Sequence, residues 1–591
     1  MAAADDPVSK HAKVYETLKK VRASKEVQLK PVSMLRPEIR VLDGSLQPLA
    51  IRYYQVQAIF HLMTMKRMVL GDATGTGKTL VLIASLCYTW EREPDNKVIV
   101  VCPKSALRQW ASEIDKFTTG ITTYVVDGTP NERKQTYLEF ALHKEPTKAV
   151  MLIGYAPLVR DWHQGAKSAP LINGKPDPKT PPVRGTLDVI TARIPHLTIA
   201  FDEATAFKSD RTKTWQVCRE LSDRGNRCYG LTATLLKNNL IEGFAIYKVI
   251  YPQVFTTKSA FLREYCVTKL QSVSGARKIP IVVGYKNLQA FRDRIDPFFL
   301  GRPKHEISSE LPTLITREVR CELSAAEDAK YGEALTGVLS LGDGNLKDYS
   351  DHKTLVSLIY CQKTVDSMSL LKYDAGDLID LDIVSGEEAE VRTLGAKEQA
   401  LLDLLTEEFS DDKVIVYCRF TSLITRLREI CKKAGVESVE VSGKVTDTKS
   451  NPARKKAQDT FQDLKSKVRV IFISDAGSEA INLQAASAMI FYNAPWSWGN
   501  YVQLLGRPIR IGSPHQHVIA VHLVAERPRT MEKQRKTIDR YTLEILQKKK
   551  NLIDKVLGES AVGALDFDRE SNFTVELANS LRSRADHDSK Q

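Results

Sequence analysis

The residues best suited to chemistry begin at positions 71–79, which read GDATGTGKT. This segment follows the apolar run RMVL at 67–70 and opens a helical pattern, KTLVLIASLCYTW, at 78–90. A strand, a glycine-rich turn and a helix N-terminus together make an anion cradle. Backbone N–H groups and the helix dipole face phosphates, Lys78 reaches the β- and γ-phosphates, and Thr79 takes Mg2+. Gly75 and Gly77, flanking Thr76, allow the backbone close approach. Asp72 stands where the strict G-x-x-x-x-G-K-T pattern has its first glycine. A second constellation is LTIAFDEAT at 197–205, an apolar strand that delivers Asp202 and Glu203 to the C-terminal edge of a sheet. Asp202 suits a Mg2+ shell and Glu203 suits an attacking water that must be oriented and polarised. The third is QLLGRPIRIG at 503–512, where Arg507 and Arg510 could project on one helical face toward a γ-phosphate, as arginine fingers do. An Asp-Glu step or an arginine pair alone would read as surface charge; beside a phosphate loop they acquire a role.

Such groups need a scaffold of strands ending at a common edge, and the sequence has one. Short apolar runs at 67–70, 98–102, 149–153 and 197–201 alternate with helical patterns, and the texture returns at 413–418, 438–442, 468–474, 488–493 and 518–524. Apolar strands separated by helices indicate parallel sheets covered on both faces. The expected fold is therefore α/β, with two parallel-sheet lobes, a helical insertion between them and a helical C-terminal extension. The boundaries read as a polar N-terminal tail or short docking helix (1–46), a first, nucleotide-binding lobe (47–250), and a helical protrusion and linker (251–394). A second lobe (395–530) and a basic helical extension with a tail (531–591) complete the chain. Five prolines within 163–185 mark a long surface loop.

Composition narrows the class. Of 591 residues, 43% are hydrophobic and 27% charged, a globular balance. Lys plus Arg (85) exceeds Asp plus Glu (72), a formal charge of +13 that favours polyanionic partners, nucleic acid first. No apolar run approaches the ~18–20 residues of a membrane span, and the N-terminus lacks a signal-like apolar region. The nine cysteines are scattered without C-x-x-C or zinc spacing, so they read as buried or free thiols of an intracellular, soluble protein.

In chain order the motifs then run IRYYQ (51–55), GDATGTGKT (71–79), CPKSALRQWASEIDKF (102–117), IGYAPLVRD (153–161) and DEATAFKS (202–209). They continue as LTATLLKNNLIE (231–242), VIVYCRFTSL (414–423), SDAGSEAINLQAA (474–486), FYNAPWSWGNYVQ (491–503) and GRPIRIG (506–512). This set resembles the Swi/Snf-type branch of superfamily-two helicases and translocases, along roughly 47–524. Asp72 is what that branch carries in its phosphate loop. The resemblance implies two RecA-like lobes, ATP with Mg2+ in the cleft, and a nucleic-acid groove across both. By position, Gln55 would recognise adenine, and Thr232 and Thr234 would couple hydrolysis to lobe movement. Gln503, Arg507 and Arg510 would sense the γ-phosphate. Groove contacts would come from Lys104, Tyr155, Lys208, Thr421, Ser474, Gly477 and Trp496.

Departures from the pattern matter too. Thr205 replaces the histidine that usually ends the acidic box; its hydroxyl can hydrogen-bond but not carry charge. The run 477–480 (GSEA) is more similar to bacterial RNA-polymerase-recycling members than to nucleosome remodellers. Pro508, lacking an N–H, would end or bend the helix just after Arg507, leaving Arg510 on a turn. The expected activity is a DNA-dependent ATPase that translocates on duplex DNA and displaces or remodels bound protein, as a monomeric motor. The alternatives are a strand-separating or branch-migrating helicase, and a non-catalytic or RNA-polymerase-binding adaptor. The acidic stretch 374–390, opposite in sign to the rest, would be a linker or a guard over the basic groove.

Overall fold

The computed structural model describes residues 11–557 apart from 41–44, 145–146, 165–170, 173–174, 177–184, 275–276, 303–306, 308–310, 337, 341–345, 349–353, 373–393, 444–452, 476, 478–480, 511 and 529–535. The acidic stretch 374–390, most of the proline-rich segment and residues 478–480 therefore lie outside the described residues. No helix among the described residues is long and apolar enough to cross a membrane. All nine cysteines are buried, and none of them forms a disulfide.

The chain divides into two compact units. The first is built on a seven-stranded sheet in the order Phe299–Leu300, Arg67–Leu70, Arg227–Leu231, Leu197–Asp202, Lys97–Cys102, Lys148–Gly154 and Ile121–Val125. Every pairing in it is parallel. Val98, Ile99, Val100 and Val101 are all at most 1% exposed, so consecutive side chains on opposite faces are equally covered. That is why these strands read as unbroken apolar runs. The second unit holds a six-stranded sheet in the order Thr313–Glu322, His517–Glu526, Ala488–Phe491, Val414–Tyr417, Val470–Ile473 and Ser438–Val441, again all parallel. Val414 and Val416 pack into one apolar cluster, Ile415 and Tyr417 into another, one on each face. Both α/β lobes thus form from the runs the sequence marked.

The segment between them differs from the expected helical protrusion. It includes the helices Ala325–Thr336 and Thr354–Asp366, but strands belong to it as well. Phe299–Leu300 pairs with Arg67–Leu70 and completes the first sheet, while Thr313–Glu322 pairs along its whole length with His517–Glu526. Beside the expected limits of 250 and 395, the described residues of the first unit fall within 11–267, 285–308 and 553–557, and those of the second within 268–284 and 309–552, so most of the strand pair Cys266–Ser274 and Arg277–Tyr285 groups with the second unit. A two-residue strand has no periodicity to read, and each displaced strand finds its partner far along the chain.

The N-terminal segment is more than a tail. The helix Ala12–Ala23 buries Leu18 at 2% exposure and drives Arg22 into the first unit. There Arg22 donates to the Phe299 carbonyl at 2.6 Å and, through Nε, to His61 Nε2 at 3.1 Å. Burial and the neighbouring Arg302 lower the Arg22 pKa to about 10. His61 Nδ1 lies 2.7 Å from the Gln57 carbonyl, so the ring donates there and accepts from Arg22, the neutral tautomer.

In the second unit a buried cation organises the core. Lys397, 0% exposed at its side chain, lies 2.8 Å from Asp366 and 2.9 Å from Asp539. Asp366 also accepts from Asn493, and Asp539 from the Ala525 backbone and Gln362. Burial pushes the Asp366 carboxyl upward, against the pull of Lys397. The network fastens the helices Thr354–Asp366, Ala396–Asp403 and Ile538–Leu557 to one sheet edge.

Burial, with Arg22 beside it, holds His61 down at about 3, and burial holds His522 down at about 4. A histidine depressed in the folded state contributes stability that is complete above its unfolded value near 6.5 and is lost as pH falls from there toward the folded value. Moving from pH 7 to pH 5 should therefore reduce the unfolding free energy by roughly 2 kcal/mol per histidine. Urea midpoints followed by tryptophan fluorescence check this, and His61→Gln should flatten the decline for the first unit.

Candidate nucleotide and nucleic-acid site

The phosphate loop leaves the strand Arg67–Leu70 and enters the helix Lys78–Arg92 through Gly77, whose φ is 80°. Gly75 has φ 82°, so both glycines occupy the left-handed region that their lack of a Cβ makes cheap. A Cβ at Gly77 would also stand 2.6 Å from Gln55 Nε2. Lys78 Nζ donates to the carbonyls of Asp72 at 2.7 Å and Ala73 at 3.0 Å, so the ammonium lies folded over the loop it serves. Thr76 Oγ1 donates to the Ala73 carbonyl at 2.9 Å. Gln55 donates to the Thr76 carbonyl at 3.0 Å and accepts from the Arg52 backbone, which holds the helix Tyr53–Thr64 against the loop. Thr74 Oγ1 is buried without a hydrogen-bond partner among the described residues, an orphan donor inside a cradle shaped for oxygens.

Asp72 puts a negative charge in a loop meant for anions. The structure answers with Arg302, whose guanidinium grips the carboxylate at 2.6 and 3.0 Å. Arg302 also donates to Gln57 at 2.6 Å and to the Tyr54 carbonyl at 3.0 Å. Sequence reasoning passed over Arg302, because its partner lies in a motif of its own far upstream.

The acidic box is level with this loop. Leu70 pairs with Leu231, and Leu231 pairs with Asp202. Two strand spacings, about 10 Å, therefore separate the end of the phosphate-loop strand from Asp202 at the same C-terminal edge. Asp202 Oδ2 accepts from Trp110 Nε1 at 2.8 Å, and its Oδ1 from the Glu203 backbone at 3.1 Å. Burial first, then the Glu203 charge, raise the Asp202 carboxyl to about 6, while Lys78 pulls it down. Glu203 itself has φ 51°, a strained conformation for a side chain of its kind, costing on the order of 1–3 kcal/mol. Tyr155, expected in the groove, is half-buried and donates its hydroxyl to the Asp202 carbonyl at 2.7 Å. It and Trp110 brace the acidic box. Mg2+ is ordinarily held by one or two carboxylates plus substrate phosphates, a donor set that Asp202 and Thr79 fit.

Beyond the box, Thr205 is buried, and Lys208 pairs at 3.2 Å with Glu242. Glu242 accepts from the backbones of Lys237 (2.6 Å) and Asn238 (2.9 Å), so it gathers the KNNLIE turn into one piece. Thr232 Oγ1 accepts from the Thr234 backbone and donates to its carbonyl, both at 3.1 Å. Thr234 Oγ1 is buried with no hydrogen-bond partner among the described residues. Lys104 opens the turn after the strand Lys97–Cys102.

In the second unit the helix Trp498–Leu505 carries Gln503 and ends at Gly506. Arg507 and Arg510 lie past its end, Arg510 on a turn as expected from Pro508, and the helix stops before Arg507 as well. They nevertheless converge: Arg507 donates to the Ile481 carbonyl at 3.3 Å and Arg510 to the same oxygen at 3.2 Å. Thr421 is the first residue of the helix Thr421–Lys433. Ser474 is 3% exposed, its hydroxyl buried without a partner among the described residues. A Cβ on Gly477 would lie 1.8 Å from the Val441 carbonyl, so only glycine fits there. Trp496, half-buried, receives the Arg419 guanidinium over its ring at 4.1 Å. Sequence reading missed Arg419.

Removing Arg302 should leave a buried carboxylate without its counter-charge, which costs about 3–5 kcal/mol when a buried pair is broken. Arg302→Met is therefore expected to lower the denaturant midpoint strongly, and adding Asp72→Asn should restore a large part of the loss. Equal losses in the single and double variants would rule out the pairing.

Residues 54–435 match the SNF2-related domain, and residues 396–512 match the helicase conserved C-terminal domain. The chain is 22% identical over 493 residues to an ATP-dependent helicase of Mycoplasma pneumoniae, covering 83% of this chain and 40% of that protein. It is 23% identical over 503 residues to the ATP-dependent helicase YqhH of Bacillus subtilis, covering 83% and 76%. With the SWI/SNF chromatin-remodeling complex subunit snf22 of Schizosaccharomyces pombe it shares 23% identity over 526 residues, 88% of this chain and 28% of that one. The chain thus spans less than half the length of two of these relatives. The Sulfolobus solfataricus SWI2/SNF2 ATPase core in complex with dsDNA aligns with 84% of this chain and 90% of its own at 21% identity, with a TM-score of 0.35.

Proposed function

This chain belongs to the SNF2-related family, and from that premise we propose that it hydrolyses ATP to move along duplex DNA, displacing or remodelling proteins bound there. The observation that carries the reading is the shared level of the phosphate loop and the acidic box, set by the register Leu70–Leu231–Asp202. Lys78 and the loop amides bind the phosphates, and Gln55 orders the loop from behind with the adenine as its further partner. Glu203 orients the attacking water and takes its proton. Thr79 and Asp202 would hold Mg2+, which when bound neutralises phosphate charge. Arg507 and Arg510, already brought together, act on the charge that develops at the γ-phosphate. Thr232 and Thr234 relay the change of nucleotide state.

DNA enters as the partner through the surplus of basic residues, and through Lys104, Lys208, Thr421, Ser474, Gly477 and Trp496 as groove groups. Phosphate contacts of this kind position without reading sequence. A bound RNA polymerase or another DNA-bound protein would be the obstacle the motor works on.

Steady-state ATPase with no nucleic acid, single-stranded DNA, plain duplex, branched duplex and RNA tests the reading. Plain duplex should stimulate turnover most, and Lys78→Ala should abolish it under every condition. Arg510→Ala should reduce kcat by about 10³-fold with little change in KM, as expected for a group acting on transition-state charge. Stimulation restricted to branched or single-stranded DNA would favour strand separation instead, and full turnover by Lys78→Ala would remove the site assignment.

A further inference from the structure

The peptide that joins Asp202 to Glu203 is held at both of its polar ends. Its carbonyl accepts the Tyr155 hydroxyl at 2.7 Å, and its N–H donates to Asp202 Oδ1 at 3.1 Å. The other oxygen of that carboxylate accepts from Trp110 Nε1 at 2.8 Å, so the side chain that receives the N–H is itself tethered. Trp110 lies on the helix Leu107–Phe117, which follows the strand Lys97–Cys102, and Tyr155 opens the helix Tyr155–Trp162, which follows Lys148–Gly154. These two strands stand first and second beside Leu197–Asp202 in the sheet, so three neighbouring strand ends meet at one peptide. Both rings are anchored. Trp110 is 2% exposed, and the Tyr155 ring packs 6.4 Å from Phe207, which is fully buried and lies edge-on to Phe201 at 5.0 Å.

The chain beyond Glu203 is pinned as well. Ala204 and Phe207 are buried, and Ala206 N donates to the Glu203 carbonyl at 2.9 Å within the turn Ala204–Phe207. With the preceding peptide and the following turn both fixed, Glu203 is left at φ 51° and ψ 57°. A residue with a Cβ seldom visits this region, and it stays there only where its surroundings over-determine it. The same φ sets the direction of the Cα–Cβ bond and so where the carboxylate can reach. Deleting a hydrogen bond to the preceding peptide would free that peptide to turn, let φ relax to negative values and re-aim the carboxylate. A displacement of about 1 Å in a group that aligns reactants can cost roughly 100-fold in rate.

We propose that Trp110 and Tyr155 are positioning residues for hydrolysis, clamping the 202–203 peptide so that Glu203 keeps the backbone conformation from which it orients the attacking water. Resting on the reading of Glu203 as the water-orienting group, this role takes Tyr155 out of the nucleic-acid groove and ties it to turnover. Neither ring touches the nucleotide in this role; both act through Glu203.

The test is ATPase turnover of the full chain with plain duplex, with nucleotide affinity, duplex affinity and thermal midpoint measured on the same proteins. Tyr155→Phe and Trp110→Phe keep an aromatic ring and delete the donor. Each should lower kcat roughly tenfold or more, with KM, nucleotide affinity and duplex affinity within about twofold of wild type. In a Glu203→Ala background, compared by single-turnover rates, the same substitutions should add little further loss, because a residue that acts through Glu203 has nothing left to position. Tyr155→Phe carries the test alone if Trp110→Phe lowers the thermal midpoint. Wild-type kcat in Tyr155→Phe would overturn the clamp and leave the hydrolysis reading standing, as would a loss that multiplies in full on Glu203→Ala. Weaker duplex affinity in Tyr155→Phe with kcat unchanged would also overturn it, returning Tyr155 to the groove. A wild-type protein without turnover under any nucleic-acid condition would overturn the hydrolysis reading and the clamp together.

Discussion

The ion pair between Arg302 and Asp72 joins two demands that would otherwise conflict. The loop must be positive toward a triphosphate, yet its sequence includes a carboxylate. A bidentate guanidinium cancels that charge and spends its remaining donors on Gln57 and the Tyr54 carbonyl. The backbone follows the same path: Gly71 N donates to the Leu300 carbonyl at 2.6 Å and Ala73 N to the Arg302 carbonyl at 3.3 Å. A Cβ at Gly71 would fall 2.3 Å from the Phe299 ring, so the close approach requires a glycine there. Arg22 then holds Phe299 from the N-terminal helix. The nucleotide end of the first lobe is thereby stitched from segments at 12–23, 53–64, 71–78 and 299–302.

The second lobe solves a similar problem with the opposite charge arrangement. Lys397 is a buried cation between two carboxylates, each with a further neutral donor. Replacing such a group with apolar side chains is often harmless, while removing one member leaves a bare charge. Its value here is placement: three helices distant in sequence meet at Lys397 in one arrangement. Asn493, which donates to Asp366, also accepts from the Arg419 backbone, so the same network reaches the Arg419–Trp496 pair.

Some of the strain and some of the orphaned atoms lie where chemistry is expected. Glu203 is one of two described non-glycine residues with positive φ. Thr74, Thr234 and Ser474 each bury a hydroxyl that finds no partner among the described residues. Structures keep such costs where surrounding packing over-determines them, and binding groups are common beneficiaries. The raised carboxyl of Asp202 belongs to the same pattern: Trp110 and the Glu203 amide support its charged form against burial.

What the sequence determined by itself follows from local rules. Buried parallel strands must be apolar on both faces, so 98–102 or 470–473 could be read without their neighbours. Gly75, Gly77 and Lys78 announce a phosphate loop because steric freedom and charge are properties of single residues, and Pro508 announces a broken helix for the same reason. The tertiary structure decided everything that depends on two distant segments meeting. Arg302 becomes legible only beside Asp72, Trp110 and Tyr155 only beside Asp202, and Phe299–Leu300 only as the edge of a sheet begun at Arg67. Periodicity records which face a residue buries; it holds no record of which remote residue it will touch.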